Sequence, residues 1–250
     1  MAHSAAAEVT VGLLYPGFGA EDDFPWLEAR PDCAVRLPLV HTSVGEDAHR
    51  VDALLDLGSP LRLAEGARAL ADRGPHSIMW ACTSGSFVFG WDGAQQQVDQ
   101  ISALAGLPVS STSIAFVEAA HAMGISRVAV AASYPDDVAL SFVEFLAKGG
   151  IDVVTMNSYG IVTAAEVGTL GRDAILDMVS ASDVADAQAL LVPDTAMHSL
   201  RWLDDLESGL GKPVLTANQV TVWEGLRLLG PVPRLARMGS LFAGPGGAAS

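Results

Sequence analysis

Short apolar runs alternate along the chain with longer stretches in which apolar residues recur every three or four positions. "EVTVGLLYP" reads as a strand that stops at Pro16 and Gly17, and "AVRLPLV" as a second strand. "SPLRLAEGARALADRG" has the spacing of an amphipathic helix closed by Gly74. "SIMWAC" is a third strand, "DGAQQQVDQISALAG" a further helix, and "PVSSTS" leads into the helical "IAFVEAAHAMG". The same order restarts at "SRVAVAASYP". Strands separated by helices of this length predict an α/β fold with parallel, doubly wound sheets.

The second round also resembles the first residue by residue. "GLPVSSTSIAFVEAAHAMG" aligns with "GKPVLTANQVTVWEGLRLLG", "VTVGLLYPG" with "RVAVAASYP", and "SIMWAC" with "ALLVPD". This predicts two pseudo-symmetric halves, residues 1–117 with 224–250 packing back on them, and residues 118–223. Open α/β sheets bind ligands at the carboxyl ends of their strands, so the site is expected in the cleft between the halves. Cys82 then ends the third strand of one half and Asp194 the third strand of the other.

Composition narrows the classes. Half of the 250 residues are hydrophobic and 17% are charged, which excludes a disordered chain. The mean hydropathy is +0.34, yet the apolar runs are far shorter than the ~20 residues a spanning helix needs. The start "MAHSAAAEVT" lacks the basic and apolar regions of a leader peptide, so a cytoplasmic protein is expected. A net charge of −15 repels phosphate backbones and argues against nucleic-acid binding. Two cysteines do not make a disulfide framework. Cys33, in "DCAVRLPLV", reads as packing.

Candidate chemistry centres on "WACTSGSF". A thiol at a strand end can act as nucleophile or proton carrier, and backbone N–H groups at the next helix start favour its thiolate. Thr83, Ser84 and Ser86 can donate to a carboxylate or enolate oxygen, with Gly85 permitting close approach; the same residues also suit a plain turn. Tyr134, in "ASYPDD", is a further candidate donor, and Tyr15, in "LLYPGFG", its counterpart in the first half. Asp194 suits either a proton carrier or a helix N-cap. His198 would share a helix face with it or stand as a surface histidine. No dinucleotide fingerprint, P-loop or nucleophile elbow is present, and "GFGAEDD" puts acids where a pyrophosphate would sit. The histidines at 3, 41, 49, 76, 121 and 198 show no metal-ligand spacing. Acid–base or thiol chemistry without metal or cofactor is what remains.

At these residues the sequence resembles the aspartate/glutamate racemase superfamily, in its branch of maleate cis-trans isomerases and arylmalonate decarboxylases. "VGLLYPG", "ACTSGSF", "LPVSSTSIA", "VAASYPDDV", "NSYGI", "GKPVLTANQVTVW" and "GSLF" carry the resemblance across nearly the whole chain. It implies a cofactor-independent enzyme with one cysteine on each side of a small carboxylate substrate. The cysteine matching Cys82 would attack an alkene as a thiolate, and residues matching Thr83, Ser84 and Tyr134 would hold a carboxylate. Pro16, Gly17 and Thr195, beside the two strand ends, complete the expected binding set. This chain departs from the pattern by placing Asp194 where the second cysteine stands. A cis-trans isomerase with Cys82 as nucleophile and Asp194 as acid follows, with a decarboxylase or an amino-acid or hydantoin racemase as alternatives. A carboxylate-binding protein that has lost its second catalytic group is the reading from a different class. A homo-oligomer is compatible with all of these.

Overall fold

The computed structural model describes residues 9–17 and 19–244. His3, the start of the chain, Phe18 of the acidic loop and residues 245–250 lie outside the described residues.

The first half opens with β1 (Val9–Tyr15) and the short α1 (Asp23–Glu28). The expected second strand is two pieces, β2 (Val35–Arg36) and β3 (Leu39–His41), both parallel to β1. The break falls at Leu37–Pro38: proline has no N–H for the ladder, although its carbonyl still accepts from Leu13 N at 2.9 Å. Then come α2 (Val51–Leu57), α3 (Pro60–Ala71), β4 (Ser77–Trp80), the single turn α4 (Ser84–Phe87), α5 (Gly90–Ala105) and β5 (Val109–Ser111). β4 lies between β1 and β5 and is buried along its whole length. That two-sided burial explains a continuous apolar run rather than an alternating one.

After α6 (Thr112–Ala122) the second half repeats the plan. Its elements are β6 (Arg127–Ala132), α7 (Asp136–Lys148), β7 (Asp152–Ser158), α8 (Ala164–Val167), α9 (Arg172–Ala181), β8 (Ala189–Val192), α10 (Leu203–Leu210) and β9 (Val214–Thr216). The sheet orders are β2/β3–β1–β4–β5 and β7–β6–β8–β9, all parallel. Each half therefore places its third strand beside its first, with the fourth outside it. Two doubly wound halves with one topology are what the internal repeat predicts.

The two Gly-x-Pro-Val segments have the same local structure. Gly106 and Gly211 both end a helix in the left-handed conformation, at φ 68°. A strand follows, and then a helix capped by Ser111 or Thr216. The helix after β9 is α11 (Ala217–Arg227), which lies on β1 and β4 of the first sheet and against α6. Gly225 of α11 has no room for a side chain, since a Cβ would stand 2.3 Å from Val11 Cγ1. Ser77 Oγ donates to the Gly225 carbonyl at 2.7 Å in that contact. α11 thus links the two halves, running from the end of β9 onto the first sheet. A short α12 (Gly239–Ala243) closes the described chain.

Candidate active site

β4 runs out at Trp80, and Ala81 and Cys82 carry the chain to the mouth of the sheet. The chain then turns into α4, where Gly85 N donates to Cys82 Sγ at 3.2 Å. A Cβ on Gly85 would stand 3.0 Å from that sulfur and 3.1 Å from the Trp80 ring, so any larger residue would crowd this contact. The expected thiolate does not follow from this contact. Burial pushes the Cys82 thiol up to about 12, and the nearby Asp194 charge adds to the effect. The Gly85 amide and the Ser84 side chain offset only part of it. These two contacts do not replace the lost hydration, so the resting group is the thiol.

β8 ends at Val192, and Pro193 and Asp194 extend from it. Asp194 caps no helix. The segment after it is a turn, and Oδ1 accepts from Ala196 N at 2.9 Å, an Asx-turn contact two residues on. Oδ2 accepts from the Ser133 hydroxyl, so both carboxylate oxygens have donors. His198, without a helix to share, pairs through Nδ1 with Asp22 at 2.9 Å.

Cys82 and Asp194 line one cavity of about 190 Å³ between the halves. Pro16, Gly17, Ser84 and Thr195 line it too, with Tyr15. Leu54, Leu57, Val44, Ala164 and Ala165 give it an apolar wall. Among the described residues that line it there are three acids, Glu46, Asp47 and Asp194, and no lysine or arginine.

Two expected donors stand back from the wall. Thr83 is buried and absent from the cavity lining, its side chain beside the Tyr134 hydroxyl. Tyr134 is buried, and its hydroxyl donates to the Pro193 carbonyl. Tyr15 donates to the Thr195 carbonyl at 3.0 Å and accepts from Ala20 N at 3.0 Å. The two tyrosines thus hold the carbonyls on either side of Asp194. Burial raises the pKa of both, so each stays a neutral donor. In the resting site they fix the Asp194 turn and leave no proton for a substrate.

Sequence reading missed Ser133 and the strap of residues 42–50. The strap roofs the cavity and is tied to the second half. His49 N donates to the Val162 carbonyl at 2.8 Å, and Asp47 accepts from Ala164 N and Ala165 N at 2.9 and 3.1 Å. His49 Nδ1 lies 2.8 Å from the Ile161 carbonyl, and Nε2 lies 3.9 Å from Asp194 Oδ2. Ser133 could have been suspected from its place beside Tyr134 at a strand end. His49 had no sequence signal.

Asp22, Asp23 and His198 bring ligand-type atoms within 4.8 Å of one another, although the spacing of the histidines suggests no metal site. They form an interface network outside the cavity: Asp23 Oδ2 accepts from Ser199 N, Leu200 N and Asn218 Nδ2. Among the described residues no helix is long and apolar enough to cross a membrane.

A family model described as arylmalonate decarboxylase matches residues 60–242. An arylmalonate decarboxylase from Bordetella bronchiseptica is 25% identical over 230 residues, which cover 90% of this chain and 92% of that one. A maleate isomerase from Geobacillus stearothermophilus is 28% identical over 138 residues, 55% of each chain. A solved Nocardia farcinica maleate cis-trans isomerase variant, with a covalently bound succinylcysteine intermediate, matches with a TM-score of 0.85. It is 21% identical and covers 94% of this chain and 98% of its own, a likeness of fold. With the fold, the repeat and these relatives in agreement, the chain is an enzyme and belongs to the arylmalonate decarboxylase family, in the branch of the aspartate/glutamate racemase-like superfamily that includes maleate isomerases.

Proposed function

We propose that the protein is a cofactor-independent cis-trans isomerase of a small unsaturated carboxylic acid, with Cys82 as nucleophile and Asp194 as proton carrier. One observation carries this reading: a thiol and a carboxylate, each just past the third strand of its half, line the same cavity. Addition of Cys82 Sγ to the alkene moves the π pair toward the substrate carboxylate as the sulfur proton passes to the Asp194 side. Asp194 returns that proton to the α-carbon, giving a thioether with a single C–C bond. After rotation about that bond, removal of the α-proton and loss of the thiolate regenerate a double bond of the other geometry. The succinylcysteine of the Nocardia farcinica relative is an adduct of this type.

With no cation on the wall, the substrate carboxylate relies on neutral donors. Ser84 is already at the surface of the cavity, and the neighbouring Thr83 is buried beside Tyr134. Tyr134 would join them only by releasing the Pro193 carbonyl. Pro16, Gly17 and Thr195 shape the opposite side. Three acids and no lysine or arginine in the lining favour a single carboxylate over a dianion.

The apolar wall of Leu54, Leu57 and Val44 favours a second reading, decarboxylation of an arylmalonate. There C–CO2 cleavage would leave an enediolate for Asp194 to protonate, and Cys82 would not be required. Proton NMR on maleate, (Z)-enoates and arylmalonates tests both readings against Cys82→Ser. Z-to-E conversion that disappears in the variant supports the isomerase. Decarboxylation that survives Cys82→Ser and is lost in Asp194→Asn supports the alternative. Absence of any turnover, with binding retained, would leave a carboxylate-binding protein.

A further inference from the structure

Asp194 has a difficulty as a store for the proton that Cys82 must release. Its Oδ1 accepts from Ala196 N and its Oδ2 from the Ser133 hydroxyl, so a donor already occupies each oxygen. A second proton acceptor beside it would remove the difficulty. His49 is such a group. Its Nδ1 faces the Ile161 carbonyl at 2.8 Å, and a carbonyl can only accept, so Nδ1 carries the hydrogen. In the neutral ring the lone pair is therefore on Nε2, which faces Asp194 Oδ2 at 3.9 Å. That is an ion-pair distance rather than a hydrogen bond, and gaps of this kind tighten when substrate binds. The ring is held edge-on to Tyr134, with centroids 4.9 Å apart at 89°, and both His49 and Asp194 are almost fully buried. The other strap acids are committed elsewhere: Glu46 to Arg50 and Asp47 to the amides of Ala164 and Ala165.

We infer that His49 and Asp194 form one proton-sharing unit, in which Nε2 holds the proton taken from Cys82 while Asp194 Oδ2 passes it to and from the substrate carbon. This rests on the reaction proposed above. The balance is simple: the proton lost by Cys82 makes the imidazolium, passes through Asp194 to the α-carbon so that the imidazole is neutral again in the thioether, and retraces that path to the sulfur when the thiolate leaves. His49 acts through Asp194 and is a positioning and proton-storing residue. It also links the strap to the chemistry, because the backbone that orients the ring spans the two halves.

Two measurements test the unit separately from the reaction. In 15N-histidine spectra, the ring signals missing from His49→Asn belong to His49. They should show hydrogen on Nδ1, and Asp194→Asn should move the Nε2 signal while Nδ1 stays. An Nε2 signal indifferent to Asp194→Asn overturns the unit even if the protein turns over no acid at all. In kinetics, Asn at position 49 can still donate to the Ile161 carbonyl but offers nothing in place of Nε2. His49→Asn should therefore lower kcat by about 10²-fold, leave KM nearly unchanged and recover partly with added imidazole. Full activity in His49→Asn, or a parallel loss of KM and thermal stability without imidazole rescue, overturns the role. A wild-type enzyme inactive on every acid tested would instead refute the proposed reaction, with the spectra still deciding the unit.

Discussion

The two strand ends that meet at the cavity occupy equivalent places in the two halves but prepare their side chains in opposite ways. After β4 the chain enters a helical turn at once, and Cys82 receives one amide contact, from Gly85. After β8 it stays irregular, and both carboxylate oxygens of Asp194 are bonded, while two tyrosines hold the neighbouring carbonyls. The thiol is left in the form that cannot attack, and the carboxylate is held in one orientation by its donors. Duplicated backbone thus fixes where two groups stand, and the local donors fix what each can do.

The largest break in this comparison is Asp194→Asn. It keeps the shape and the Ala196 contact but cannot accept a proton, so kcat should fall by about 10²–10⁴-fold with KM little changed; steady-state kinetics on the isomerised acid would show it. Next comes Ser133→Ala. Removing a buried donor from a carboxylate should cost about 1.5–3 kcal/mol, read by denaturant unfolding, and should lower kcat as Oδ2 loses its orientation.

The thiol side is sharpened by pH. Because burial raises the Cys82 pKa from the ordinary 9.0 to about 12, the protonated form contributes stability that is complete below pH 9 and is lost as pH rises toward 12. Wild type should lose stability faster than Cys82→Ala across that window. Alkylation of Cys82 in the free enzyme should likewise keep rising past pH 9. A plateau near pH 7 would mean a preformed thiolate. The smallest effects belong to the tyrosines. Tyr15→Phe and Tyr134→Phe should each cost about 0.5–1.5 kcal/mol of stability, and Tyr134→Phe should affect kcat through the Asp194 turn more than KM.

Much of the frame was legible because local rules and tertiary structure agree. The repeated Gly-x-Pro-Val encodes a left-handed helix end, a strand and a capped helix, and both copies fold that way. Pro38 marks the split of the second strand, though nothing local says that both pieces pair with β1. The site was legible only as far as strand ends reveal it. Cys82 and Asp194 stand there, but the thiol's protonation depends on burial, which no short stretch displays. "PDTAMHS" reads as a cap and helix start because an Asx turn uses the same residue types. His49 lies far from Asp194 in sequence and meets it only through a strap anchored on the other half.

Covalent trapping tests the central claim most directly. If Cys82 adds to the alkene and Asp194 handles the α-proton, Asp194→Asn incubated with a (Z)-enoate should accumulate a thioether adduct, because water can protonate the enolate formed on addition but cannot remove the far less acidic α-proton of the adduct. Mass spectrometry should find a gain equal to the substrate on the peptide containing Cys82, absent from the Cys82→Ser, Asp194→Asn double variant. An unmodified Cys82 in an Asp194→Asn enzyme that still isomerises at the wild-type rate would contradict the account.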